Sequence, residues 1–456
     1  MNTRPRRPTR DGRPSGPGSH SSQSSARDEG ARGRGRGDEI EIKIDVKRMA
    51  AEGMAVVMVN RHGVEAVRRG HPWIFRSAMG QLSALKGGPQ VVSIASEREE
   101  IIGCGVYDPV SPIAIRVWGV GSEARLEASV FSERLSRAIA LRTELFASGE
   151  TTAYRLLNGE GDRTPGFVID RYGEIAVLRI DGDAARVLSP ILLPDLERIL
   201  RDAGITVLLE RTSQRNAERE RERDEPKIAV RFGALPAASV EVREHGVPFL
   251  VDLVHGQKTG AFLDQRENRR RIAELVARRK RAGLGLRVLN LFSYTGGFSQ
   301  RAALAGAHVT SVDVAAKAHA TAQQSFKLAG LEPAAHTFVT ADAFAWLADQ
   351  KKKEKRWDVV ISDPPSFAPS ERAKPNALTA YRALHRACAD VLAPGGVLVA
   401  ASCSSHVSAE DFLATLDDVA LGRSDLRLVD MFGPPADHPT LPSFPEGRYL
   451  KLALLA

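Results

Sequence analysis

The chain has 456 residues, enough for two or three domains, and its 43% hydrophobic and 26% charged content is that of an ordinary soluble protein. Its formal charge of +8 is unevenly spread: residues 1–37 hold nine Arg against three acids, and the rest carries 55 basic and 53 acidic groups. The basicity thus belongs to a tail on a nearly neutral body. No run reaches the ~20 apolar residues of a membrane span.

The first 30 residues lack the apolar core of a secretory signal. The three cysteines, Cys104, Cys388 and Cys403, suit neither a disulfide framework nor a zinc site. No metal site is expected, and a reducing cytoplasm is the expected setting. Residues 1–50 form an Arg/Gly/Ser-rich tail containing Arg32-Gly33-Arg34-Gly35-Arg36-Gly37. Such a composition cannot bury a core and is expected to be disordered. Arg-Gly segments bind single-stranded nucleic acid with strong salt dependence, and they serve equally as solubilising extensions.

Beyond the tail, residues 54–122 read as a small, mostly β module. It holds a strand over 55–59, a basic helix over 61–70, paired strands over 90–95 and 100–107, and a further strand over 113–118. Residues 123–240 read as a central α+β region. A helix is expected over 124–148, from the apolar spacing of Leu126, Val130, Leu135, Ile139 and Leu145. A hairpin over 166–180, a helix over 190–203 and a strand over 206–210 follow. The run 211–227 is too densely charged to be anything but a solvated helix or loop.

In residues 241–456 strands and helices alternate from Arg287 onward. Strands are expected at 288–292, 309–314, 337–340, 357–362 and 397–402, each of the first four followed by a helix, with two late strands at 426–431 and 449–455. This alternation predicts an α/β fold with a doubly wound, mainly parallel sheet. Ligands of such sheets sit at the carboxyl ends of the strands. The first strand ends in Phe292-Ser293-Tyr294-Thr295-Gly296-Gly297, a turn in which backbone can approach a ligand closely. With two glycines and no GxGxxG, it suits a dinucleotide pyrophosphate poorly. Asp313 ends the second strand, 17 residues after Gly296, where an acid can bind a ribose hydroxyl pair. Asp342 ends the third and can accept from an adenine amine, although Asp313 taken in isolation reads as a helix cap. Three successive ends of this kind resemble those of class I S-adenosylmethionine-dependent methyltransferases.

The fourth strand runs into Asp363-Pro364-Pro365-Ser366-Phe367, and Pro-Pro stops it there. The fifth ends on Ser402-Cys403-Ser404. A thiolate adding to C6 of cytosine makes C5 nucleophilic, and a carboxylate can bond N3 or the exocyclic amine. Phe367 is placed to stack on a base turned out of its helix. Cys104 and Cys388 fall within apolar segments and read as core.

Five segments, two of them those just described, occur in order with the Phe292 to Phe298 turn. They are Lys258-Thr259-Gly260-Ala261-Phe262-Leu263-Asp264-Gln265-Arg266, Asp363-Pro364-Pro365, Ser402-Cys403-Ser404, Ala436-Asp437-His438-Pro439 and Phe444-Pro445-Glu446-Gly447-Arg448-Tyr449-Leu450-Lys451. Together the set resembles the bacterial 23S ribosomal RNA cytosine-5 methyltransferases of the RlmI type, over about residues 55–456. The resemblance implies an N-terminal PUA β-barrel, at whose start His71-Pro72-Trp73-Ile74-Phe75 would lie, a central mostly β α+β domain and a Rossmann-like class I methyltransferase domain. It implies S-adenosyl-L-methionine as cofactor and 23S rRNA as partner, with no membrane association; a homodimer is compatible with it. It implies Cys403 as nucleophile, with Phe292 to Gly297, Asp313, Asp342 and Asp363 lining the cofactor or base pocket. Gln265 and Arg266 would reach the methionine end of the cofactor, Arg266 through its carboxylate.

The chain departs from many RNA cytosine-5 methyltransferases in having Pro365 and Ser366, not a second cysteine, after the Asp-Pro step. The group that removes the C5 proton is therefore left open. Two other readings stay open on the sequence. Asp-Pro-Pro-Ser-Phe also resembles the motif for methylating exocyclic amines or a guanine without a thiol, and an RNA-binding protein with an inactive sheet would share the same fold.

Overall fold

The computed structural model describes residues 55–456 except 81–84, 86, 123, 212–227 and 237–238. The Arg-Gly tail and nearly all of the charged run lie outside the described residues.

Strands β1 (Val56–Val59), β2 (Trp73–Phe75), β3 (Gln90–Ser96), β4 (Ile101–Tyr107) and β5 (Ile113–Val120) form a five-stranded sheet in the order β1-β3-β4-β5-β2. All seven residues of β4 are buried, as suits the central strand. Helix α1 (Arg61–Arg68) is capped by Asn60, whose side chain accepts from the amides of His62 and Gly63, and it buries Val67 against the sheet.

Helix α2 (Ala128–Leu145) leads to a second sheet of β6 (Ala153–Asn158), β7 (Phe167–Tyr172), β8 (Ile175–Ile180), β9 (Val207–Arg211) and β10 (Ile228–Phe232), in the order β10-β9-β8-β7-β6. Only β8 and β9 pair in parallel. One face packs Ile169, Leu178 and Leu208 against Phe131 and Leu135 of α2 and Leu192, Leu196 and Leu200 of α3 (Ser189–Asp202). Each such buried side chain contributes about 1.5–3 kcal/mol. The other face puts Tyr172, Val177 and Leu209 against Val242 and Val251 of a hairpin, β11 (Val240–Glu244) and β12 (Val247–Val251). That hairpin and β6 were not expected from the sequence.

The third sheet contains β13 (Arg287–Leu291), β14 (His308–Asp313), β15 (Thr337–Thr340), β16 (Trp357–Ser362), β17 (Leu392–Ser402), β18 (Leu428–Phe432) and β19 (Lys451–Leu455). Its order, β15-β14-β13-β16-β17-β19-β18, is parallel except at the last two pairings. The order reverses between β13 and β16, which opens a crevice at the carboxyl edge there. β17 begins five residues earlier than expected, running through Pro394-Gly395-Gly396. Gly395 takes φ +65° and the pairing with β16 slips between Trp357 and Val359.

A polar seam ties this sheet to the second one. Asp437, fully buried, accepts a bidentate pair from Arg266 at 2.8 and 2.9 Å and the Arg155 amide at 2.9 Å. The Asp437 carbonyl accepts from Arg142, which is itself bidentate to Asp162. Beside them the Pro439 carbonyl accepts from Asn158, and a Cβ on Gly161 would overlap that same oxygen. The first sheet meets the late chain through His71, 3.3 Å from Glu446, and through the Trp73 ring, 4.7 Å from that of Phe444.

Candidate active site

The turn after β13 is wound tightly. Phe292, Tyr294 and Gly296 all have positive φ, at 56°, 46° and 76°. Two of these carry side chains, and such conformations persist where the surroundings over-determine them. Here Asp313 does so: one oxygen accepts the Tyr294 amide and the other the Ala315 amide, both at 2.8 Å. Tyr294 in turn accepts the Gln257 amide on its phenol oxygen at 2.8 Å, joining the turn to the 252–262 segment.

This turn forms one wall of a cavity with Asp313. The ends of β16 and β17 form another, contributing Asp363, Pro364, Pro365 and Cys403. The two strands are direct neighbours, Ser362 pairing with Ala400. The serines flanking Cys403 turn inward: Tyr381 donates to Ser402 at 2.9 Å, and Ser404 lies 2.8 Å from Ser366. Side chains alternate along a strand, so fixing both serines leaves Cys403 on the opposite side, where it is partly exposed to the cavity. Lys451, buried in β19, holds the segment by donating to the carbonyls of Ser404 and Val407.

The electrostatics are unusual. Burial and the neighbouring Asp264 charge push the Asp363 carboxyl up to about 7, against Lys258, Arg269 and a 2.8 Å hydrogen bond from Gln265. Burial works against the charge of Asp264 too, but Lys258, His438 and hydrogen bonds from Lys258 and Tyr449 hold it below the usual carboxylate range. Burial and Asp363 push the Cys403 thiol up to about 11. Cys104 also rises to about 11 and Cys388 to about 12, both through burial. What distinguishes Cys403 is its access to the cavity.

Of the residues singled out from sequence, Gln265, Phe292, Ser293, Tyr294, Thr295, Gly297, Asp313, Asp363 and Cys403 line this one cavity. Gly296 sits in the same turn with its α-carbon toward Ala322 of the helix Ala316–Leu328. Three expectations need correction. Arg266 does not face the cavity; its guanidinium is buried against Asp437, since a buried charge takes the partner that desolvates with it. Asp342 caps the helix that follows it, accepting from the Ala345 amide at 2.9 Å, and stands outside the cavity lining. Phe367 turns inward, its ring centroid 4.9 Å from that of Tyr381. Sequence reasoning gave no role to Lys258, Asp264, Arg269 or Glu244, which line the cavity as well. The two basic–acidic pairs, Lys258–Asp264 and Arg269–Glu244, were the available signal, and only the first is close in sequence.

A family model described as S-adenosylmethionine-dependent methyltransferase matches residues 195–450, and one described as PUA-like domain matches residues 57–119. A ribosomal RNA large subunit methyltransferase of Deinococcus radiodurans is 38% identical over 401 residues, covering 85% of this chain and 94% of its own. A ribosomal RNA large subunit methyltransferase I of Shigella boydii is 32% identical over 402 residues, covering 87% and 98%. A solved structure named as a SAM-dependent methyltransferase from Streptococcus mutans has a TM-score of 0.76 at 24% identity, covering 88% of this chain and all of that one, so the fold is shared.

Proposed function

Because the chain belongs to the S-adenosylmethionine-dependent ribosomal RNA large subunit methyltransferases, we propose that it forms 5-methylcytosine in 23S rRNA through a covalent Cys403–C6 adduct. The observation that carries this reading is the shared cavity of Cys403 and Asp363 at adjacent parallel strand ends, opposite the Asp313-braced turn. That turn suits the cofactor: its backbone closes around a cleft, and the Asp313 oxygens retain lone pairs for a ribose hydroxyl pair. S-adenosylmethionine, when bound, supplies the methyl group.

The residues divide the remaining work. Cys403 sulfur adds to C6, and the electron pair of the C5–C6 double bond becomes available at C5 for the methyl group. Asp363 bonds N3 or the amine and steadies the charge that develops on that edge. A base then takes the C5 proton, the C5–H electron pair re-forms the C5–C6 double bond, and the C6–S bond breaks to release the thiolate. Gln265 orients Asp363. In this reading residues 54–122 are the RNA-binding PUA-like part, 123–240 the central part and 241–456 the catalytic part. An enzyme acting on rRNA works in the cytoplasm, where ribosomes are assembled.

RNA carrying 5-fluorocytosine at the target traps the adduct, because fluorine cannot leave as the proton does. The expected result is a protein–RNA band that survives denaturation and disappears in Cys403→Ala. The second reading, methylation of an exocyclic amine, draws on the raised thiol pKa, which keeps Cys403 protonated near neutral pH. Methyl transfer that persists in Cys403→Ala would establish it.

A further inference from the structure

The segment over residues 257–263 carries a lysine to which the mechanism above gives no part. Lys258 has a left-handed backbone, φ +54°, which a residue with a side chain adopts only when its surroundings impose it. Its ammonium donates to Asp264 at 2.8 Å and lies 4.4 Å above the Phe262 ring. Asp264 is itself buried and fixed by the Tyr449 hydroxyl at 2.8 Å. The lysine side chain keeps 31% exposure and lines the cavity with Cys403 and Asp363.

The other cations around the site are committed elsewhere. Arg269 is bidentate to Glu244 and donates to the Phe262 carbonyl, and Arg301 donates to the Glu244 carbonyl. Arg266 serves Asp437, and Lys451 is held on the carbonyls of Ser404 and Val407 behind the thiol.

Resting on the assignment of Cys403 as nucleophile, we infer that Lys258 is the counter-cation of the Cys403 thiolate, its ammonium fixed by Asp264 in the cavity that the thiol and Asp363 also line. Ionising the thiol places a negative charge beside two carboxylates. Asp363 and Asp264 both oppose that charge, and Lys258 favours it. The charged groups that act on the thiol are therefore Asp363, Asp264 and Lys258, and its own charge acts on Lys451, Tyr381 and Tyr449. In the ionisation the S–H bond breaks, its electron pair stays on sulfur, and the proton passes to water in the open cavity. Nothing is oxidised or reduced.

The test is the pH dependence of Cys403 alkylation by iodoacetamide in the full-length protein, with the modified peptide quantified by mass spectrometry. In Lys258→Met the profile is expected to move about one pH unit upward, a roughly tenfold slower alkylation at pH 8. Lys258→Arg, which keeps the charge, is expected to stay within about twofold of the wild type. Lys258→Gln replaces the methionine variant if that does not fold. Superimposed wild-type and Met profiles would overturn the inference. So would an Arg variant displaced as far as the Met variant, which would mean the side chain acts through its shape. The readout does not depend on methyl transfer, so it separates this inference from the C5 mechanism, whose own failure appears as activity in Cys403→Ala.

Discussion

The second and third sheets use similar apolar strands, yet only one of them gathers chemistry. In the second sheet most neighbours run antiparallel, so successive strand ends fall on opposite edges. Its polar residues pair off locally: Arg155 with Asp170, and Asp170 with Thr259, which in turn meets the Tyr172 hydroxyl. In the third sheet five strands run the same way, and β13, β14, β16 and β17 deliver the Phe292 turn, Asp313, Asp363 and Cys403 to one edge. Parallel pairing concentrates reactive groups; antiparallel pairing with a seam concentrates stability.

The sharpest way to break this contrast is at the thiol. Cys403→Ala should lower methyl transfer to rRNA by roughly 10³-fold or more, with the thermal midpoint nearly unchanged. The seam should give the opposite pattern. Arg266→Met leaves Asp437 buried without its guanidinium partner, and should cost about 3–5 kcal/mol in denaturant unfolding. Cofactor affinity, measured by calorimetry on the folded fraction, should hold, whereas a methionine carboxylate bound by Arg266 would lose it.

A smaller effect is expected at Asp313. Asp313→Asn keeps the size but weakens acceptance from the Tyr294 and Ala315 amides, so S-adenosylmethionine affinity should fall about tenfold. The subtlest test concerns Asp363. Its carboxyl is raised in the folded protein, so the native state binds more protons than the unfolded one between about pH 4 and 7. Stability from this group is therefore lost as pH rises through that window. Asp363→Asn should raise the thermal midpoint at pH 8 by roughly 2–4 °C and leave it unchanged near pH 4, as followed by circular dichroism.

The third sheet was legible because its central strands β13, β14, β16 and β17 are largely buried runs closed by turn signals, and because Pro364-Pro365 marks one strand end unambiguously. The placement of Asp363 beside Cys403 followed from strand order alone. What escaped was of two kinds. The hairpin Val240–Val251 is built of two five-residue strands: Val240 and Val242 alternate with exposed Glu241 and Arg243, but the next inward position is the buried Glu244 and the second strand holds Pro248, so it is held by packing on the second sheet. The destination of Arg266 depends on Asp437, 171 residues later, and no local pattern announces such a partner. Asp342 shows the opposite failure: the local rule, an acid capping a helix, was sufficient.

Gly161 carries a wider consequence. Its α-carbon faces the Pro439 carbonyl with no room for a methyl group, and both partners are backbone. Even alanine there would act as a wedge, forcing the 434–439 segment outward and dragging the Asp437 carboxylate from three donors at once. A position outside the cavity lining thus sets the mutational tolerance of the whole joint, and engineered libraries that spare only the cavity would founder on it.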